Sequence, residues 1–235
     1  MATMSAEPAL HPYYPLDAPI HGYVANKASL LSLLTTASVG AAALLGATLG
    51  LETPAAGVVE ILNLEELTSS RRSPSAGSLH CFFEGYFMIH YDRMASAQDF
   101  FGQMWKEYAL SDSRYMTADT LVLCMETMTV LLWGPLCLLV AYSIFAQSSL
   151  RHPLQLTACM AHLYGDSLYY ATSLYDHYAH DRPYSRPEPY YFWIYYFVMN
   201  FVWIVVPLYY FVQSMRASSK AFQSLEGTAA QRKSR

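Results

Sequence analysis

The stretch YYFWIYYFVMNFVWIVVPLYYFV, Tyr190 to Val212, decides the fold class, because it runs without a single charged side chain. Coiled into a helix rising about 1.5 Å per residue, it is long enough to cross the ~30 Å hydrocarbon core of a bilayer. Aromatic rings crowd both ends, where a membrane-spanning helix meets the headgroups. Its polar exceptions are Asn200 and Trp203, an amide and an indole one helical turn apart.

The rest of the chain supports the same reading. Hydrophobic residues make up 54% and charged residues 14% of the sequence, the wrong balance for a soluble domain. A net charge of -4 offers no basic surface, which argues against a nucleic-acid partner. Cys81, Cys124, Cys137 and Cys159 lie in apolar runs without metal-ligand or disulfide-framework spacing and read as packing thiols. Four more apolar stretches precede the opening one: Ala28 to Gly50, Leu79 to Tyr91, Thr117 to Phe145 and Leu154 to Tyr175. The fold class expected is therefore all-α and integral to a membrane, a five-transmembrane-helix bundle. Its second helix is short, since the polar, Arg- and Pro-containing segment 60–78 stands where its upstream turns belong. No signal sequence opens the chain, so the first span is expected to direct insertion.

The domain reading follows: 1–27 an extramembrane N-terminal segment, 28–213 the transmembrane domain, 214–235 a basic tail. Arg216, Lys220, Arg232, Lys233 and Arg235 in that tail favour a cytosolic C-terminus, and its final RKSR loosely matches a basic retrieval signal of the endoplasmic reticulum.

Ionisable groups inside spans cost a few kcal/mol to insert, so they mark a protein interior with a task. His80 and Glu84 stand four apart in the second stretch. Asp119, Glu126 and Trp133 recur at sevens on one face of the third, with Thr129 a turn beyond Glu126. His162 and Asp166, again four apart, read as a structural pair in the fourth, and Asn200 reads equally well as interhelical hydrogen-bond glue. Two interior carboxyls, one beside an imidazole, in an aromatic-lined space suit proton transfer to an apolar substrate. A tryptophan face stabilises a cation by about 0.5–2 kcal/mol. No nucleophile elbow, phosphate loop or metal-spaced cluster competes. A proton-coupled transporter would use similar groups, but the internal repeats common in such proteins are missing.

The blocks LHPYYP, HCFFEGYF, WKEYALSDSRY, CMETMTVLLWGPL, YGDSLYY and YFWIYYFVMNFVWIVVP occur in this order. Together, from His11 to Pro207, they resemble the emopamil-binding protein family of sterol Δ8,Δ7-isomerases in the EXPERA superfamily. The resemblance implies a five-helix bundle of the endoplasmic reticulum membrane, with a sterol-sized cavity and no cofactor. A proton adds at sterol C9, a cation develops at C8 and a proton leaves C7. His80 and Glu84 match the family's H-x-x-x-E-G motif and Glu126 with Thr129 its E-x-x-T. Asp112, Arg114 and Tyr115 match its D-S-R-Y segment, and Asn200 with Trp203 its N-x-x-W. On this resemblance His80, Glu84 and Glu126 are catalytic: the His80–Glu84 pair delivers the proton, and Glu126 steadies the cation or helps remove the C7 proton. Asp112, Arg114, Tyr115, Thr129, Asn200 and Trp203 bind substrate. The implied partners are a Δ8-sterol, cationic amphiphilic drugs that imitate the carbocation, the lipid bilayer and a second copy of the chain in a homodimer. The alternative is a non-catalytic sterol- or drug-binding receptor of the same superfamily. The chain departs from the family at TSSRRSPSAGS, where relatives continue an apolar helix into the H-x-x-x-E-G motif.

Overall fold

The computed structural model of the chain describes residues 11–51 and 76–234. Among the described residues there are six helices longer than one turn: α1 Leu30–Leu51, α2 76–90, α3 Phe100–Tyr108, α4 Thr120–Phe145, α5 Arg151–Ala179 and α6 Tyr191–Lys233. No strand forms among them. Two helices, α4 and α6, are long and apolar enough to cross a membrane. Only 28% of the apolar window of α4 and 17% of that of α6 is buried inside the protein, so their outward faces need an apolar solvent. Leu131, Leu138, Trp193, Ile194 and Val202 are among the side chains left on those faces.

Most of the second stretch is helical, and α2 begins three residues upstream of Leu79. The remainder of the polar segment, 60–75, lies outside the described residues. At the C-terminus the helix does not stop at residue 213: α6 runs on to Lys233. The Ala, Gln, Lys and Leu residues there are strong helix formers, which outweighs the loss of apolar packing.

The helices depart from simple α geometry in three places. Leu79–Glu84 in α2, Thr129–Trp133 in α4 and Tyr191–Val198 in α6 are π-helical. Such wider turns tend to occur where side chains are re-aimed for function. The first two face each other across Gly134. A Cβ there would stand 2.7 Å from Cys81 Sγ and 3.2 Å from the His80 Cβ, so only glycine lets α2 and α4 approach this closely.

A cap covers one end of the bundle, built from residues 11–27, α3 and the loop after α5. The Tyr13 hydroxyl donates to the Lys106 carbonyl, and Asn26 to that of Gln103. The backbone N–H groups of Ser113 and Arg186 donate to Tyr184 and Leu110. Asp99 caps α3 by accepting from the Gly102 N–H at 3.1 Å, and also accepts from the Tyr86 hydroxyl at 2.5 Å. Burial opposes ionisation of Asp99, but these donors win and hold its carboxyl below the usual range. Lys106 is buried in the cap with its ammonium donating to the Val24 carbonyl; burial pushes its pKa down to about 8 against the pull of Asp99. The main core lies beneath this layer, where Trp105 stacks on Phe83 and donates to the Phe83 carbonyl while Phe87, Tyr115 and Tyr196 pack around it.

Candidate active site

A cavity of about 1730 Å³ opens between the helices, larger than the ~300–1,000 Å³ of typical ligand sites and overwhelmingly apolar in its walls. His80, Glu84, Glu126, Thr129, Asn200 and Trp203 all line it, as does Tyr115. The α2 π-turn aims His80 inward, where its Nδ1 lies 2.9 and 2.8 Å from the two Glu84 carboxyl oxygens. Glu84 in turn stands beside Glu126 from α4. Two carboxyls buried side by side are accommodated when one of them holds a proton. The Tyr115 hydroxyl donates to Glu126 Oε1 at 2.9 Å. The result is a continuous polar chain, His80–Glu84–Glu126–Tyr115, on the wall of an apolar space.

The remaining predicted residues divide in two. Trp203 packs over the imidazoles, its ring 5.2 Å from His80. Asn200 ties α6 to the cap, exchanging hydrogen bonds with Tyr108 at 3.1 and 3.2 Å and donating to the Tyr196 carbonyl. The hydroxyl of Thr129 donates to the Met125 carbonyl of its own helix. Asp112 and Arg114, by contrast, are not among the lining residues. They form a fully buried ion pair at 2.6 Å, and Arg114 reaches on to the Thr172 hydroxyl and the Tyr169 carbonyl. That geometry anchors the segment bearing Tyr115. Asp119 likewise serves locally, capping α4 by accepting from the Val122 N–H.

One expectation needs correcting. His162 and Asp166 do not bond to each other: the His162 Nδ1 lies 2.7 Å from the Ala158 carbonyl one turn back, and Asp166 Oδ2 is buried with no hydrogen-bond partner. The free nitrogen of His162 faces His80 instead, Nε2 to Nε2 at 2.9 Å, and its ring stacks on Trp203 at 5.6 Å. Helical spacing finds neighbours along one helix and is blind to a partner on another, so this contact had no local signal. With Cys137 the two histidines bring three ligand-type atoms within 4.8 Å of one another. Two imidazole nitrogens on one tetrahedral zinc would stand about 3.3 Å apart. The observed spacing is that of a shared proton.

All-helical among the described residues, with apolar outer faces and an acid–imidazole cluster on the wall of an apolar cavity, the chain has the make-up of a membrane protein. Residues 100–214 match the family described as EXPERA (EXPanded EBP superfamily). The chain is 34% identical to the 3-beta-hydroxysteroid-Delta(8),Delta(7)-isomerase of Cavia porcellus over 226 residues, 96% of each chain. It is 33% identical over 210 residues to the protein of that name in Mus musculus, 84% of each chain. To isomeliandiol synthase of Melia azedarach it is 36% identical over 134 residues, 56% of this chain and 60% of the other. The chain belongs to the EXPERA family.

Proposed function

We propose that the chain is a sterol Δ8,Δ7-isomerase. The observation that carries this reading is that Glu84, held by His80, and Glu126, held by Tyr115, share the wall of an apolar cavity of sterol-accommodating volume. The protonated carboxyl adds its proton to C9, electrons leave the ring double bond and a cation forms at C8. The ionised carboxyl takes the proton at C7, and the C–H electrons make the new double bond. Transfer between the neighbouring carboxyls then passes that proton back, so nothing is consumed and no external acid or base is needed.

In this assignment Glu84, supported by His80, is the acid and Glu126 the base. Both His80 nitrogens are engaged, Nδ1 by Glu84 and Nε2 by His162, which leaves the carboxyls to present the proton. Tyr115 steadies Glu126 as a carboxylate. Trp203 turns its ring toward the cation, and Thr129 and Asn200 shape the pocket around the rings. Asp112 and Arg114 position Tyr115. A protonated amine would mimic the cation between the same two acids, so cationic amphiphilic drugs are expected to bind there.

The proposal extends to the setting: a five-span bundle in the endoplasmic reticulum membrane, with spans inside 28–213, residues 1–27 and 214–235 outside it, the C-terminus cytosolic and the bundle able to form a homodimer. The test is a sterol profile by gas chromatography–mass spectrometry, with this chain expressed in yeast lacking its own Δ8,Δ7-isomerase. Δ7 sterols are the expected result. Persistent Δ8 sterols beside a membrane-inserted protein that still binds a sterol would refute catalysis in favour of a binding-only receptor.

A further inference from the structure

Nothing in the isomerisation chemistry itself calls for a second imidazole, yet His162 meets His80 across the helix interface at 2.9 Å. The hydrogen bonds fix which nitrogen carries which proton. The Ala158 carbonyl can only accept, so His162 Nδ1 must donate to it. In the neutral ring this leaves His162 Nε2 as a bare lone pair. A contact of 2.9 Å between two nitrogens needs a proton, and with His162 supplying none, His80 Nε2–H supplies it. With its Nε2 proton so placed, the Nδ1 of His80 faces both Glu84 oxygens, and that contact needs a second proton of its own.

Without an acceptor at position 162, the order reverses. A buried, unpaired Nε2–H costs the desolvation of its donor. His80 then adopts the other tautomer, donating Nδ1–H to an ionised Glu84 and leaving Nε2 bare. The pair satisfies its bonds with one proton fewer. We propose that His162 is a positioning residue whose Nε2 lone pair keeps the His80–Glu84 pair loaded with the proton that isomerisation spends. The inference rests on the sterol-isomerase reading above. Trp203, stacked on His162 with an interplanar angle of 9°, fixes the ring plane that makes the lone pair point correctly.

The test compares kcat and KM for a Δ8-sterol in membranes carrying the full-length protein, His162→Gln or His162→Leu. Glutamine offers a carbonyl oxygen to the His80 Nε2–H; leucine offers nothing. His162→Gln should keep kcat within about threefold of the parent, while His162→Leu loses about 10- to 100-fold in kcat with KM changed less than about twofold. Ring-¹⁵N spectra should show the His80 tautomer switch in His162→Leu alone. Should the leucine variant fail to accumulate, His162→Met, flexible and without a strong acceptor, replaces it. Parental kcat in the leucine or methionine variant, or equal losses in the glutamine and apolar variants, would overturn the proposal. If the parent protein converts no Δ8-sterol, the functional reading fails and not this one alone.

Discussion

Replacing Glu126 by glutamine separates the chemical role of this carboxyl from its structural one. Glutamine is nearly isosteric, and its Oε1 still accepts from the Tyr115 hydroxyl that lies 2.9 Å from the native oxygen. Its amide can donate to the neighbouring Glu84 carboxyl. The structural loss is therefore that of exchanging charged for neutral hydrogen bonds, about 1 kcal/mol. The chemical loss is complete removal of one member of the acid–base pair, worth about 10²–10⁴ in rate, or about 2.7–5.5 kcal/mol of barrier. The two magnitudes predict a protein that inserts, melts within a few degrees of the parent and leaves Δ8 sterols unconverted. The assay is the yeast sterol profile, with membrane abundance and detergent-solubilised melting followed in parallel. A Glu126→Gln protein that produces Δ7 sterols at the parental rate would remove Glu126 from the mechanism and, with it, the proton-return step.

Three further outcomes follow from the geometry. Gly134→Ala should lower kcat by roughly tenfold by pushing His80 out of line, since the added methyl meets Cys81 Sγ at 2.7 Å; Cys81→Ala in the same protein should restore part of the loss, and no recovery would mean the clash is not the cause. Asp112→Ala should destabilise the protein by about 3–5 kcal/mol, because it strands a buried guanidinium; a melting temperature unchanged from the parent would contradict the anchoring role. Lys106→Met should raise the melting temperature below pH 8, where burial disfavours the charged ammonium. Because the folded pKa is depressed to about 8, the unfolded chain binds more protons between there and the ordinary value near ~10.4. Parental stability thus rises with pH across that window, and the gap between parent and variant should narrow; a constant gap would refute the assignment.

The long apolar helices α4 and α6 were legible because a bilayer imposes a length and forbids charge, and both rules can be read residue by residue. The apolar stretches read from Thr117 and Leu154 begin within three residues of the helices at Thr120 and Arg151, of which the first is long and apolar enough to cross a membrane. His80, Glu84 and Glu126 stood out for the converse reason, as costly groups in apolar runs. What stayed hidden depends on partners far apart in sequence. His162 was assigned to the wrong neighbour because its true partner, His80, lies on another helix. Asp112 and Arg114 carried the signature of a site motif, while their burial against each other gives the pair a scaffold's environment. The capping role of residues 11–27 was equally invisible, since it consists of backbone carbonyls and buried tyrosines that no pattern announces.

The final helix has a mechanical consequence. At about 1.5 Å per residue, the stretch Tyr191–Lys233 measures about 65 Å, roughly twice the ~30 Å that a bilayer core spans. Beyond Ser218 it is exposed on every side, a post continuous with the wall that carries Asn200 and Trp203. A load applied to Arg232 or Lys233 travels down one continuous helix to Pro207, which interrupts the hydrogen-bond ladder at the cavity wall and sets the fulcrum about which that wall can tilt.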